Sequence, residues 1–139
     1  MTIKDEIRLD VAEVGERILG RWADIRRHTR SVIINKKLSK PLGASFEQHR
    51  EIVLDGLKTL VREGATQYGF PEELGGQRNP GGSLSSFEEL VFADPSLQIK
   101  FGVQWGLFGS AILYLGTDYH HKTFLPGAVN LDTPQAPLP

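Results

Sequence analysis

The sequence predicts an all-α fold in which every segment reads as helix or loop. Apolar residues recur every three or four positions in successive stretches, capping residues stand at the start of several of them, and no two segments show the matched alternation of paired strands. The most apolar stretch, Asp94 to Leu115, is the element around which the rest is organised. Asp94 supplies a capping oxygen, and Pro95 suits the first helical position because the N–H it lacks would be unpaired there anyway. Within this helix Gly102, Gly106, Gly109 and Ser110 leave much of one face nearly bare, flanked by Phe101, Trp105 and Phe108. Interior glycines cost roughly 0.5–1 kcal/mol each relative to alanine, so they call for a reason. On spacing alone, close packing of a neighbouring helix stands ahead of a flat ligand or acyl chain. A membrane span is discounted: Lys100 and Asp118 bracket a run shorter than the ~20 apolar residues a bilayer needs, and Gln104 interrupts it.

At 139 residues the chain is expected to form one core. Sixteen basic against seventeen acidic residues leave a net charge of −1, which argues against nucleic acid or an anionic membrane as partner. Without cysteine there are no disulfides and no thiolate metal ligands, and the N-terminus carries no signal-like pattern, so the default compartment is the cytoplasm.

Taken in order, Ile7, Val11, Val14, Ile18, Trp22 and Ile25 form one stripe, predicting a long amphipathic helix from Ile3 to about Arg27 with Thr2 as cap. Arg26, Arg27, His28 and Arg30 form a basic run near its expected end, where cations complement the macrodipole; a solvated face is preferred over phosphate binding. Ser31 to Ala44 reads as a connection, in which the triplet Val32-Ile33-Ile34 could start a strand but finds no partner. Ser45 with Gln48 is a capping box opening a helix with Phe46, His49, Val53, Leu57 and Leu60 on one stripe, ending near Glu63 with Gly64 as its terminator. Tyr68 to Gly82 is a loop dense in glycine and proline. Ser85 and Glu88 predict a further capping box and a short helix to Ala93. Beyond Leu115, Gly116 closes the central helix, and Thr117 caps a last one from Asp118 to Phe124 that Pro126 and Gly127 end. The helical domain is therefore expected over residues 1–129, with a Pro-rich, frayed tail over 130–139.

No familiar catalytic constellation is present. There is no glycine-rich phosphate loop; His120 and His121 are adjacent and point about 100° apart on a helix, while His28 and His49 stand alone and read as surface residues. Glu72 with Glu73 and Glu88 with Glu89 are neighbours rather than a facing pair, and Ser85 and Ser86 lack the turn that exposes a nucleophile. Catalytic residues and metal ligands are accordingly assigned to none.

One resemblance adds to this reading. Gly69-Phe70-Pro71-Glu72-Glu73-Leu74-Gly75-Gly76, then Phe87-Glu88-Glu89-Leu90, Asp94-Pro95-Ser96, Leu115-Gly116-Thr117 and Phe124-Leu125-Pro126-Gly127 resemble, in order, the N-terminal helical domain of the acyl-CoA dehydrogenase and oxidase superfamily. Lys100 to Gly109 together with His120-His121 look more like the oxidases. The resemblance implies an orthogonal bundle of about five to six helices with a Gly/Pro-rich loop. It implies membership in an FAD-dependent enzyme that removes the α-proton of an acyl-CoA with a glutamate and passes hydride to flavin, reoxidised by oxygen in the oxidases during fatty acid β-oxidation. In that family this domain helps to wall the substrate cavity, which makes Phe101, Gln104, Trp105 and Phe108 candidates for lining it, against the alternative that the aromatics fill the core. After Asp132-Thr133-Pro134 the sequence departs from the family's entry into its flavin-binding β domain. The expectation is a fragment without the catalytic base and most of the flavin site, binding no FAD alone and exposing an apolar face that promotes self-association or pairing with the missing domains. The other readings are a helical module that joins a separately encoded flavoprotein part, and an acyl-CoA or lipid binder without catalysis.

Overall fold

The computed structural model describes residues 10–132, and the expected Thr2 cap, the start of the first helix at Ile3 and most of the Pro-rich tail lie outside them. Among the described residues the structure is helix, turn and loop with no strand, as the sequence predicts.

The first predicted helix is two. Helix α1, Val11–Leu19, is capped by Asp10, whose Oδ1 accepts from the N–H groups of Ala12 (2.9 Å) and Glu13 (3.3 Å). It stops at Gly20, which sits at φ +67° and leads into a 3-10 turn, Gly20–Trp22. Helix α2, Ala23–Asn35, then runs well past Arg27, so Val32-Ile33-Ile34 is helical rather than extended. The reason is tertiary: Ile25, Thr29 and Val32 share one face, with Thr29 and Val32 buried, and a later helix supplies the surface that buries them. The basic run consequently lies within α2 and not at its end.

Helix α3, Phe46–Arg62, begins with the expected box: Ser45 Oγ accepts from the Gln48 N–H at 3.2 Å and Gln48 Oε1 from the Ser45 N–H at 2.9 Å. Gly64, at φ +70°, follows its end. The Gly/Pro loop is shorter than expected. It holds a 3-10 turn, Glu72–Leu74, and folds on itself through Arg78 N–H to Phe70 O (3.0 Å) and Asn79 N–H to Tyr68 O (2.7 Å). Gly76 is obligatory there, since a Cβ would lie 2.0 Å from the Phe70 carbonyl oxygen.

Helix α4, Pro80–Glu89, starts five residues before the predicted Ser85 box, capped by Asn79 Oδ1 accepting from Gly82 N–H at 2.8 Å. Gly81 and Gly82 are inside it because the 3-10 turn and the start of α2 pack on them: a Cβ would lie 2.1 Å from Trp22 and 2.4 Å from Ile25. Ser85 and Ser86 are buried, and Ser86 Oγ bonds Thr29 Oγ1 (2.9 Å) and donates to Ala65 O (2.8 Å). Ser86 therefore ties α4 to α2 and to the turn after α3, and Ser85 is buried within α4 instead of capping a helix.

After a 3-10 turn, Leu90–Phe92, Asp94 caps α5, Pro95–Phe101, through Ser96 N–H at 2.8 Å. The predicted central helix is continuous but not uniform: a π-helical segment, Gly102–Gly109, joins α5 to α6, Ser110–Leu115. Helix α7, Asp118–Thr123, follows Thr117, whose hydroxyl and N–H both meet His120 Nδ1. Pro126 and Gly127 do not end the helical structure, because a new helix, α8, Leu125–Val129, begins there with Pro126 in its first turn. The core joins Leu57 and Leu60 of α3, Leu90, Leu97, Phe101 and Trp105 to Leu125 and Val129 of α8. Leu131, at the expected start of the frayed tail, is also buried in it.

Candidate functional site

The π-helical segment decides what the glycine face does. A π turn closes i to i+5 rings and is uncommon outside functional sites; here the hydroxyl of Ser110 also donates to Trp105 O at 3.0 Å, five residues back. Gly109 lies against Phe70, where a Cβ would come within 2.9 Å of the ring, and Gly102 against Phe87 at 3.0 Å. Packing thus explains both, although each neighbour is an aromatic side chain from another element rather than a bare helix face. Gly106 is different: nothing lies within 4 Å of its Cβ position and it is exposed.

Gly106 borders a cleft of about 310 Å³ whose walls include Phe70, Phe87, Phe101, Trp105 and Tyr114. Phe101 and Trp105 pack with their rings tilted and centroids 4.9 Å apart, and Phe87 joins Phe101 at 6.0 Å. The cluster is fixed from behind, because Trp105 Nε1 donates to Val129 O at 2.9 Å and anchors the indole to α8. Of the predicted lining residues the structure therefore brings Phe101 and Trp105 to this cleft. Gln104 is buried on another side, donating to Ala128 O at 3.0 Å and bordering a separate groove of about 440 Å³ between α3 and the π segment. Phe108 is part-exposed and borders neither space. Phe70, Phe87, Leu84 and Tyr114 were not singled out as lining by the sequence; each belongs to a different stretch from the glycine face or to its far end, and no local periodicity links them.

The cleft is chemically plain. Its polar lining groups are the hydroxyls of Ser83, Ser110 and Tyr114, and no carboxylate, imidazole or cation is among its walls. Such a surface is suited to apolar contact and has no group placed to take a proton. A flavin's diphosphate finds no cationic partner in this lining, so these residues do not fit a flavin site by themselves.

The titratable groups are occupied elsewhere. Glu89, 1% exposed, accepts from Arg30 Nε (2.5 Å) and Nη2 (3.1 Å) and from Arg26 Nη1 (3.0 Å), while Arg26 Nη2 also reaches Glu88 at 2.5 Å. Burial pushes the Glu89 carboxyl up, but the hydrogen bonds and charges of Arg30 and Arg26 more than offset it and hold it below its ordinary value. The basic run thus serves this internal cluster and the surface pairs of Arg27 with Glu16 and Asp24, and Glu88 is an ion-pair partner instead of a cap. The isolated histidines have partners too: His28 Nδ1 lies 2.6 Å from the Tyr68 hydroxyl, and His49, largely buried, lies 2.5 Å from Asp94 Oδ2. Among the described residues no cluster of three or more His, Cys, Asp or Glu could hold a metal ion, and no helix is long and apolar enough to cross a membrane.

Comparison with known proteins fits this architecture. Residues 23–132 match the family model described as acyl-CoA dehydrogenase, N-terminal domain. The chain is 33% identical over 96 residues to a protein of Arabidopsis thaliana named acyl-coenzyme A oxidase 2, peroxisomal; the match covers 68% of this chain and 13% of that protein. No solved structure gives a significant match. Taken with the all-helical fold, the family match over most of its length establishes that the chain belongs to the acyl-CoA dehydrogenase and oxidase superfamily, as a form of its N-terminal domain.

Proposed function

We propose that this domain forms one wall of the acyl-binding cavity of an FAD-dependent acyl-CoA oxidase, an enzyme of fatty acid β-oxidation, with the fatty acyl chain lying in the aromatic cleft over Gly106. The observation that carries the reading is that cleft itself: an uncharged, aromatic trough, open at Gly106, the one of its three lining glycines whose Cβ would meet nothing within 4 Å, in a domain of this family. Phe101 and Trp105, 2% and 1% exposed, form the packed floor under the chain, the exposed Leu84 and Tyr114 contact it, and Gln104 and Phe108 lie outside the cleft. Because the lining holds neither an acid–base group nor a cation, abstraction of the α-proton and flavin binding fall to other parts of a complete enzyme. The 139-residue polypeptide alone is then expected to bind little FAD and to release no peroxide from an acyl-CoA. The test is titration of the purified chain with a fluorescent long-chain acyl-CoA. Saturable binding that Gly106→Phe abolishes, with helicity unchanged, supports the reading; binding indifferent to Gly106→Phe, or no binding, sinks it.

The exposed Ile99, Leu107, Tyr114 and Leu115 around the same helix favour a second reading, a non-enzymatic module that associates with a separately encoded flavoprotein part. Restoration of flavin binding on mixing with the separately expressed remainder of a related oxidase would identify it. The sequence places the chain in the cytoplasm by default whereas the relative is named as peroxisomal; fractionation of cells expressing the tagged chain decides between the two.

A further inference from the structure

The groove of about 440 Å³ between α3 and the helix formed by α5 and the π segment takes no part in the acyl-chain reading, and its two ends differ in chemistry. The helices are tied where His49 Nε2 lies 2.5 Å from Asp94 Oδ2, and again further along both, where Leu97 closes to 3.0 Å from the position a Cβ of Gly56 would take. The contacts advance along both helices together, so the lining residues can be ordered from one end of the groove to the other. From α3 come first Arg50, then Val53, Leu54 and Leu57; from the facing wall come first Ser96 and Lys100, then Val103. Both walls turn from polar to apolar in the same direction. Val53, Leu57 and Leu131, 7%, 4% and 8% exposed, make the floor of the apolar part, and Leu54, 38% exposed, stands at its side. A space of this size, apolar with a few convergent polar groups, suits a small amphipathic molecule.

The charges at the polar end indicate which. Arg50 and Lys100 are exposed, and among the described residues neither forms an ion pair. The Arg50 guanidinium lies over the Phe46 ring, 5.7 Å from its centroid, which holds it at the mouth. The carboxylates nearby are accounted for. Asp94 is taken up by His49 and by the Ser96 N–H, and Glu47 accepts from the Ser45 hydroxyl at 3.0 Å and is not among the groove's walls. Glu51 does border the groove, on the side it shares with the depression beside Pro41 to Ala44. Two cations against one carboxylate leave an excess of one positive charge, which matches a monoanion; a neutral lipid would leave both cations unanswered. A carboxylate also fits the fork of an arginine beside the point charge of a lysine.

We propose that this groove binds an aliphatic monocarboxylate, a free fatty acid of medium length, with its carboxylate between Arg50 and Lys100 and its chain over Val53, Leu57 and Leu131. The length follows from the walls: Arg50 to Leu57 is two helical turns, roughly 10.5 Å at 1.5 Å per residue. The site is independent of the acyl-chain reading, since none of these residues borders the cleft over Gly106.

The test is titration of the full chain with decanoate below its micellar range, followed by calorimetry and by amide NMR shifts. Saturable binding is expected, with shifts at Arg50, Val103 and Leu131 and none at Gly106. R50Q and K100Q should each weaken it roughly threefold to fivefold, and E51Q should strengthen it by a similar factor. All three side chains are exposed, so helicity is expected to stay unchanged. Decanol, with the same chain and no charge, should bind more weakly and respond to none of the three variants. Equal binding of decanoate and decanol, indifference of decanoate to the three variants, shifts confined to Gly106 and Tyr114, or no saturable binding would each overturn the proposal. Binding to phosphatidylglycerol vesicles without binding of decanoate would overturn it too, and would assign the groove to a membrane surface. Gly106→Phe keeps the two sites apart: it should leave decanoate binding intact while abolishing that of the long-chain acyl-CoA.

Discussion

Replacing Glu89 by alanine should cost the fold about 3 kcal/mol at neutral pH. Removing one partner of a buried ion pair typically costs about 3–5 kcal/mol, because the remaining charge is left without compensation. Two features place this case at the lower end. The Arg30 side chain is 49% exposed and can turn to water, and Arg26 retains Glu88 at 2.5 Å. With a urea slope of about 2 kcal/mol/M, the unfolding midpoint, followed by circular dichroism, should fall by about 1.5 M. The cost is also pH-dependent, with a definite sign. Glu89 is held below its ordinary value of 4.5, so its contribution is fully present above that value and disappears as pH falls through the lower folded one. Wild type and Glu89→Gln should therefore converge in stability in acid. A loss under about 1 kcal/mol at neutral pH would class the cluster with surface ion pairs and refute the account of it as the tie between α2 and α4.

Two further perturbations address the central helix. Gly106→Ala should stabilise the chain by about 0.5–1 kcal/mol, because its Cβ meets nothing within 4 Å, whereas Gly109→Ala should destabilise it by about 1–2 kcal/mol against the buried Phe70 ring at 2.9 Å; thermal melts that move both variants in one direction would contradict this assignment. At the start of α5, burial pushes Asp94 up while the His49 hydrogen bond and the Ser96 N–H bring it below its ordinary value of 3.8, so its stabilisation is lost as pH falls through that lower range. Asp94→Ala should cost about 1–2 kcal/mol near neutral pH, through the cap and the His49 bond together, and Asp94→Asn less because asparagine can still cap; equal losses in urea titrations of the two would show that the cap contributes nothing.

The acyl-CoA dehydrogenase-like motifs and the caps at Ser45, Asp94 and Thr117 were legible because each is written within a few consecutive residues. Ser45 and Gln48, or Asp94 and Pro95, complete their bonds inside one turn, and Val53, Leu57 and Leu60 mark a buried stripe by spacing alone. Where the reading missed, distant partners had overridden local preference. The triplet Val32-Ile33-Ile34 is β-branched yet helical because α2, through its buried Thr29 and Val32, packs against α4, and Gly81 and Gly82 sit inside a helix because Trp22 and Ile25 must approach them. Glu89 is buried as an ion-pair acceptor only because Arg26 and Arg30, 63 and 59 positions earlier, arrive beside it. The candidate cleft divides in the same way. The amino-acid sequence by itself determined an all-α chain with a glycine-lined central helix and the family to which it belongs. Tertiary structure decided that this helix takes a π turn, that Phe70 and Phe87 fill two of its glycine gaps, and that of the four residues expected to line a cavity Phe101 and Trp105 border the space over Gly106 while Gln104 and Phe108 do not. The physical reason is range: caps and stripes are settled by neighbours along the chain, whereas a cleft is the volume left over when elements far apart in sequence have finished packing.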